Sequence, residues 1–152
     1  MKKYGFWFCL LRTAKLKLYY ATIRFDRANG SCKGYKFTFD IADTLPKRRL
    51  GLSFREDLGG HEGMVLAYPK FDYHRIWMMN MRLNIDILWL DEHKNIVYIV
   101  QNAQRSYSWS DFAKYNPTHK SKYVVELLHG TVKQHKFVVG NKINFQIYGN
   151  PS

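Results

Sequence analysis

Apolar positions along this chain recur mostly at a period of two. "YKFTFDIAD" puts Phe37, Phe39 and Ile41 on one face and Lys36, Thr38 and Asp40 on the other, which predicts a half-buried strand. "MVLAY" reads as a short buried strand that Pro69 ends, and "RIWMM" and "DILWL" as strands around the irregular "NMRLN". The polar stretch Asp91–Asn95 predicts a hairpin loop into "IVYIVQ". That last segment is apolar on both faces, so cover on both sides is expected. "KYVVELL" and "KINFQIY" supply two more strands, with Gly130 and Gly140 as turn glycines.

One segment breaks the alternation. In "DTLPKRRLGLS", Asp43 or Thr44 can cap, Pro46 suits a first turn, and Leu45, Leu50 and Leu52 can face inward. A short helix over Pro46–Leu52 follows. "EDLGGHEG" is a loop, and Ser106–Lys122 is a long polar, aromatic-dotted loop of a length that often carries function. The pattern predicts a mainly β fold: a small sandwich or barrel with one short helix and long loops. "RANGSCKG", Arg27–Gly34, reads as a turn or linker. It divides the chain into a basic, aromatic arm or leader over 1–34 and a single β-rich domain over 35–150.

Charge reinforces that division. The chain carries a net charge of +12 over 152 residues, and residues 1–36 hold nine Lys or Arg against the single acid Asp26. A basic arm on a nearly balanced domain points to nucleic acid or an anionic membrane surface, or to solubility alone. Lys15, Lys17, Arg24 and Arg27 could bind phosphates while Tyr19, Tyr20 and Phe25 stack on bases. The same alternation also fits a strand with a basic solvent face. "MKKYGFWFCLLR" has the charged and then apolar outline of a signal peptide, or of a surface anchor, but is too short to span a bilayer. Both localisations, cytoplasmic and exported or envelope-associated, stay open. The two cysteines, Cys9 and Cys32, lie in this first part, so the domain has no disulfide framework and no cysteine zinc site.

Two acids stand out because their strands are so apolar: Asp86 in "LNIDILWL" and Glu126 in "YVVELL". Along its strand Asp86 shares a face with Leu88 and Leu90, and Glu126 with Val124 and Leu128, so both are expected to be at least partly buried. Such a pair could work as acid and base with separated pKa values. The favoured reading is structural, with each acid neutralised by an arginine or by backbone N–H groups. Arg48 and Arg55 are the expected partners. Trp77 and Asn80 could form a binding wall and a hydrogen-bonding point, or serve as core and turn residues. The six histidines show no zinc spacing, although His129 and His135 could meet across Gly130. No metal or other cofactor is expected. Nucleophile elbows and phosphate-cradling glycine loops are absent from the sequence.

The order of motifs carries a resemblance. "ADTxxxRxxGLxxR" (Ala42–Arg55), Gly63–Met64, "WMxN" (Trp77–Asn80), "IDILWLD" (Ile85–Asp91) and "YVVELxxG" (Tyr123–Gly130) resemble domain-of-unknown-function family 192 over roughly residues 35–145. The resemblance implies a compact, mostly β domain, jelly-roll-like or barrel-like. It places Arg48, Gly51, Arg55, Gly63, Met64, Trp77, Asn80, Asp86, Glu126 and Gly130 on the family's characteristic positions. No activity comes with it, though many members look exported. This chain has Ser53 where the family usually has Met, Met81 for a small Thr, Asn84 for Pro, and Asn141 for Asp.

Together these observations point to a non-enzymatic module that binds a small ligand or a protein at a shallow site near Trp77, Asn80, Asp86 and Glu126, with Arg48 and Arg55 alongside. The alternatives are a hydrolase-like enzyme using Asp86 and Glu126, and an envelope or nucleic-acid-associated protein tethered through the arm. The oligomeric state is not legible in the sequence.

Overall fold

Alternation of the kind seen at Phe37, Phe39 and Ile41 needs a partner layer on its apolar side, and the chain builds that layer by curling one sheet. A computed structural model describes residues 15, 18, 19, 21–106 and 114–152. Its main sheet runs through β1 (Asp26–Cys32), β2 (Tyr35–Ala42), β3 (Glu62–Asp72), β5 (Ile85–Leu90), β6 (Ile96–Ala103), β8 (Ser121–Leu128) and β9 (Ile143–Phe145). β4 (Ile76–Trp77) and β7 (Lys114–Tyr115) form a separate two-stranded ribbon. The helices are α1 (Leu45–Leu50) and α2 (Thr131–His135). The order across the main sheet is β6-β5-β8-β3-β2-β1-β9. It curls into a half-barrel, so of the two expected closures the barrel-like one is realised. Pairing is antiparallel except between β2 and β3, where Thr38 lies opposite Glu62. A parallel pair needs a crossover, and α1 lies in it.

Both faces of the sheet carry core. Phe37, Phe39, Leu88, Val125, Leu127 and Phe145 fill one side, and Met64, Leu66, Ile85, Ile87, Trp89 and Val124 fill the other. Met78 and Met81, from the segment between β4 and β5, close over the second side. All six residues of β5 are therefore buried. β6 has equally apolar residues but lies at the sheet edge, and Val97–Val100 are only half-buried.

The structure corrects three further local readings. "RANGSCKG" is a strand and turn rather than a linker. Arg27–Cys32 pair with β2, and Lys33 and Gly34, both at positive φ (51° and 84°), make the two-residue turn into it. Glycine is required at Gly30 in that strand, because a Cβ there would lie 2.5 Å from the Asn144 carbonyl and from the Phe39 ring. Pro69 does not end β3. The strand continues to Asp72, with its register against β8 shifting between Ala67 and Asp72, which is how a ladder absorbs a residue without an N–H. After Gly130, where the sequence predicts only a glycine turn, comes a short helix, α2.

Candidate functional site

Glu126 sits in the middle of β8, opposite Met64 on β3 and Ile87 on β5. Facing partners in adjacent strands point to the same side of the sheet, so this carboxylate stands between two apolar side chains. Glu126 is 5% exposed, and its Oε2 has no hydrogen-bond partner. Burial pushes its pKa up to about 7, against a smaller downward pull from Arg55.

A pocket of about 190 Å³ opens over this acid. α1 and the turn after it provide Arg48, Arg49 and Gly51; Tyr68 comes from β3; Arg75 and Trp77 flank the other side. Gly51 has φ 51°, and a Cβ there would lie 3.7 Å from Glu126 Oε2, so this glycine places no side chain against the carboxylate. Arg48 donates to the Ala67 carbonyl at 2.8 Å and the Ser152 carbonyl at 2.7 Å, and its guanidinium lies 5.1 Å from the centre of the Tyr68 ring. Burial lowers the Arg48 pKa and raises that of Tyr68, and the Tyr68 shift is increased further by Glu126. Tyr68 also stacks on His74 at 3.6 Å.

Asp86 occupies a different place. It lies opposite Leu127, one step from the Ile87–Glu126 pair, and so projects to the opposite face from Glu126. It is fully buried. Oδ1 accepts the Asn102 N–H and Oδ2 accepts the Val132 N–H, both at 2.9 Å. The first bond holds a bulge in β6: two residues, Gln101 and Asn102, stand opposite the single Asp86, one more than the ladder needs, with Asn102 at φ 54°. The second satisfies a free N–H of the first turn of α2, whose own cap, Gly130, has no side chain to offer. The expectation of backbone donors holds for Asp86. The expected arginine partners do not, since neither Arg48 nor Arg55 reaches either acid with a hydrogen bond.

Arg55 instead forms an ion pair with Asp40, which Arg27 Nε also reaches at 3.0 Å. Asp40, assigned from the alternation to a solvent face, is therefore only 7% exposed. Asn80 is at φ 60°, and its carbonyl accepts the Phe54 N–H at 2.9 Å, which ties the turn after α1 to the strand-like segment containing Trp77. Trp77 is 42% exposed and lines the pocket. The fold thus gathers Arg48, Trp77 and Glu126 at one pocket, with Asn80 and Asp86 as supports elsewhere and Arg55 on Asp40. Tyr68, Arg49 and Arg75 went unnoticed in the sequence, although Tyr68 was signalled by its i, i+2 and i+4 relation to Leu66 and Met64, and Gly51 entered only through the family resemblance.

His135 does not meet His129, which is exposed. It packs 4.0 Å from the Tyr35 ring and near Phe37, Phe137 and His61, with Nε2 buried and unpartnered. Among the described residues no group of three His, Cys, Asp or Glu is placed to hold a metal. Of the arm candidates, Lys15 is exposed, Arg24 donates to the Ala21 carbonyl, and Arg27 is paired as above. Lys17, Cys9, Tyr20 and the signal-like start lie outside the described residues, as do positions 107–113 of the long loop. A second, larger groove of about 1450 Å³ follows β1 and β9. Arg27, Lys36, Lys94 and Lys142 face it against one acid, Glu92, and Tyr148 beside them is 87% exposed.

Residues 27–145 match the family model described as Uncharacterized ACR, DUF192. No curated protein matches the chain. The fold is similar to that of a candidate transcription regulator from Sinorhizobium meliloti 1021, with a TM-score of 0.76, 22% identity, and coverage of 81% of this chain and 96% of that one. It is also similar to a protein of unknown function from Novosphingobium aromaticivorans, with a TM-score of 0.68, 21% identity, and coverage of 79% and 84%. At these identities the likeness concerns the fold.

Proposed function

Because the chain belongs to domain-of-unknown-function family 192, its role has to be argued from its own site, and we propose that it is a non-enzymatic binding module taking a small ligand between α1, Trp77 and Glu126. One observation carries the reading: Glu126 Oε2 is buried without a partner beside an open pocket. An unsatisfied buried acceptor costs about 1–3 kcal/mol, a penalty that a ligand donor would relieve. The aromatic wall and the few polar groups around it have the composition of a small-molecule site. The hydrolase-like alternative requires Asp86 and Glu126 to act on one substrate, and their opposite projections remove that pair.

A fragment library followed by amide and indole chemical shifts tests the proposal. Hits should move Gly51, Leu52, Ser53 and the Trp77 indole together. Hits confined to the Asp86 face, or none at all, would overturn it. The groove along β1 and β9 supports a second reading, an envelope- or nucleic-acid-associated protein, because Lys36, Lys94 and Lys142 line it with the acid Glu92, while Arg27 beside them is paired with Asp40 and Glu62. Its test is binding to a single-stranded oligonucleotide between 50 and 300 mM salt. A steep loss with salt that weakens when Lys36 and Lys142 become alanine supports it, and salt-independent binding dismisses it.

A further inference from the structure

Resting on the pocket reading, we infer that the ligand is a small zwitterion, a free amino acid or a compound of that size, with its ammonium on Glu126 and its carboxylate on Arg49 and Arg75. The charges lining the pocket are three arginines and one glutamate. Arg48 is already engaged by two carbonyls and the Tyr68 ring. Arg49 and Arg75 are exposed and make no hydrogen bond or ion pair among the described residues. The pocket therefore presents two unengaged guanidinium groups and one unengaged carboxyl group. A simple anion would satisfy the arginines but meet Glu126; a simple cation would satisfy Glu126 but meet the arginines. A molecule with both ends satisfies both, as charge-assisted bonds at each end require.

Size and lining agree. A volume of about 190 Å³ holds roughly six waters at ~30 Å³ each, which suits a compact ligand of about six to ten non-hydrogen atoms. Ile76, Leu66 and Met81 give the middle of the pocket an apolar character, and the exposed Trp77 ring adds a face that attracts an ammonium group. The Gly51 backbone lies against this carboxylate, a Cβ there being 3.7 Å from Oε2, so the turn after α1 adds no side chain between the pocket and Glu126. The other groups that act on this carboxylate are Arg55, which draws its pKa down, and the Tyr68 phenol, which stays neutral.

The test uses the full chain and calorimetric titration with the twenty amino acids. A matched set then compares leucine with isopentylamine, which lacks the carboxylate, and 4-methylpentanoate, which lacks the ammonium. At least one amino acid should bind tenfold or more tighter than its amine and its acid analogues, with affinity rising between pH 6 and pH 8 as Glu126 ionises. Glu126→Gln should lose the zwitterion by tenfold or more and keep the acid. The Arg49→Ala/Arg75→Ala pair should lose the zwitterion and keep the amine. A single cooperative melting transition and a far-UV spectrum like the parent's establish that each variant folds. Either analogue binding as tightly as the zwitterion overturns the inference. If no amino acid binds while fragments still move Gly51 and Trp77, the ligand class is wrong and the pocket reading survives. If nothing moves those residues, both fall.

Discussion

Glu126→Gln should make the protein more stable, and increasingly so as pH rises. The folded-state pKa is about 7 against an ordinary value of 4.5, so the native protein holds a proton that the unfolded chain has already released. For a raised pKa, the stabilising contribution is complete below 4.5 and is lost as pH rises through 7. A difference of about 2.5 pH units corresponds to roughly 3 kcal/mol at ~1.4 kcal/mol per unit. Glutamine never ionises and escapes this loss. Its amide has a desolvation cost of its own, but that offset does not vary with pH. The diagnostic quantity is therefore the change in the difference between variant and parent. Between pH 5 and pH 8 it should widen by about 2.5 kcal/mol in favour of the variant. At ~2–4 °C per kcal/mol for a chain of this size, the gap between melting temperatures grows by about 5–10 °C. Thermal unfolding followed by circular dichroism in matched-ionic-strength buffers reads it directly. Other titrating groups, His135 among them, act on both proteins and cancel. Parallel melting curves across that range would mean that Glu126 is solvated or paired, and the argument for a ligand would lose its foundation.

Asp86→Asn should behave in the opposite way. It replaces an acceptor of two backbone N–H groups with an amide that can accept only one, which costs about 3 kcal/mol and lowers the melting temperature at neutral pH. Faster hydrogen exchange at the Asn102 and Val132 amides would localise the damage, and unchanged exchange there would refute the assignment. Gly63→Ala places a Cβ 2.7 Å from the Glu126 carbonyl and from Leu127 Cδ2, so the β3–β8 contact must spread. A loss of about 1–3 kcal/mol in denaturant titration is expected, and a neutral result would mean the strands yield freely. His135 has its pKa lowered by burial, with a further lowering from His61. Its neutral form therefore contributes stability at and above the ordinary histidine value, and this contribution is lost as pH falls through the lowered one. His135→Phe should flatten the acid limb of the stability profile between pH 7 and pH 5, and an identical limb in both proteins would exclude His135 as its source.

The parts of this fold that could be read from the sequence are those fixed within a few residues. Phe37, Phe39 and Ile41 announce β2, and the polar insert Asp91–Asn95 announces its hairpin, closed by the Asp91 side chain on the Asn95 N–H at 2.8 Å. Position in the sheet is not local, and there the reading strayed. "IVYIV" and "IDILWL" look alike as apolar runs, yet one is an edge strand and the other is enclosed, because strand order is set by partners more than twenty residues away. "RANGSC" has poor strand propensity, but pairing with both β2 and β9 overrides it.

The same distinction decides the site. Each acid's own strand shows which of its neighbours share its face, and those assignments agree with the structure. Whether two faces on different strands coincide depends on register, and register has no local signature. Ile87 opposite Glu126 sends the two carboxylates to opposite sides. A slip of one residue between β5 and β8 would bring them to the same side and would also turn Leu88 and Ile87 onto the wrong cores. The apolar residues around the acids therefore enforce the separation. It leaves Asp86 between two backbone donors, fully satisfied, and Glu126 against Met64 and Ile87 with none. Of two acids that look equivalent in sequence, only Glu126 has an unmet demand for a hydrogen-bond donor, and it is the one that lines a pocket.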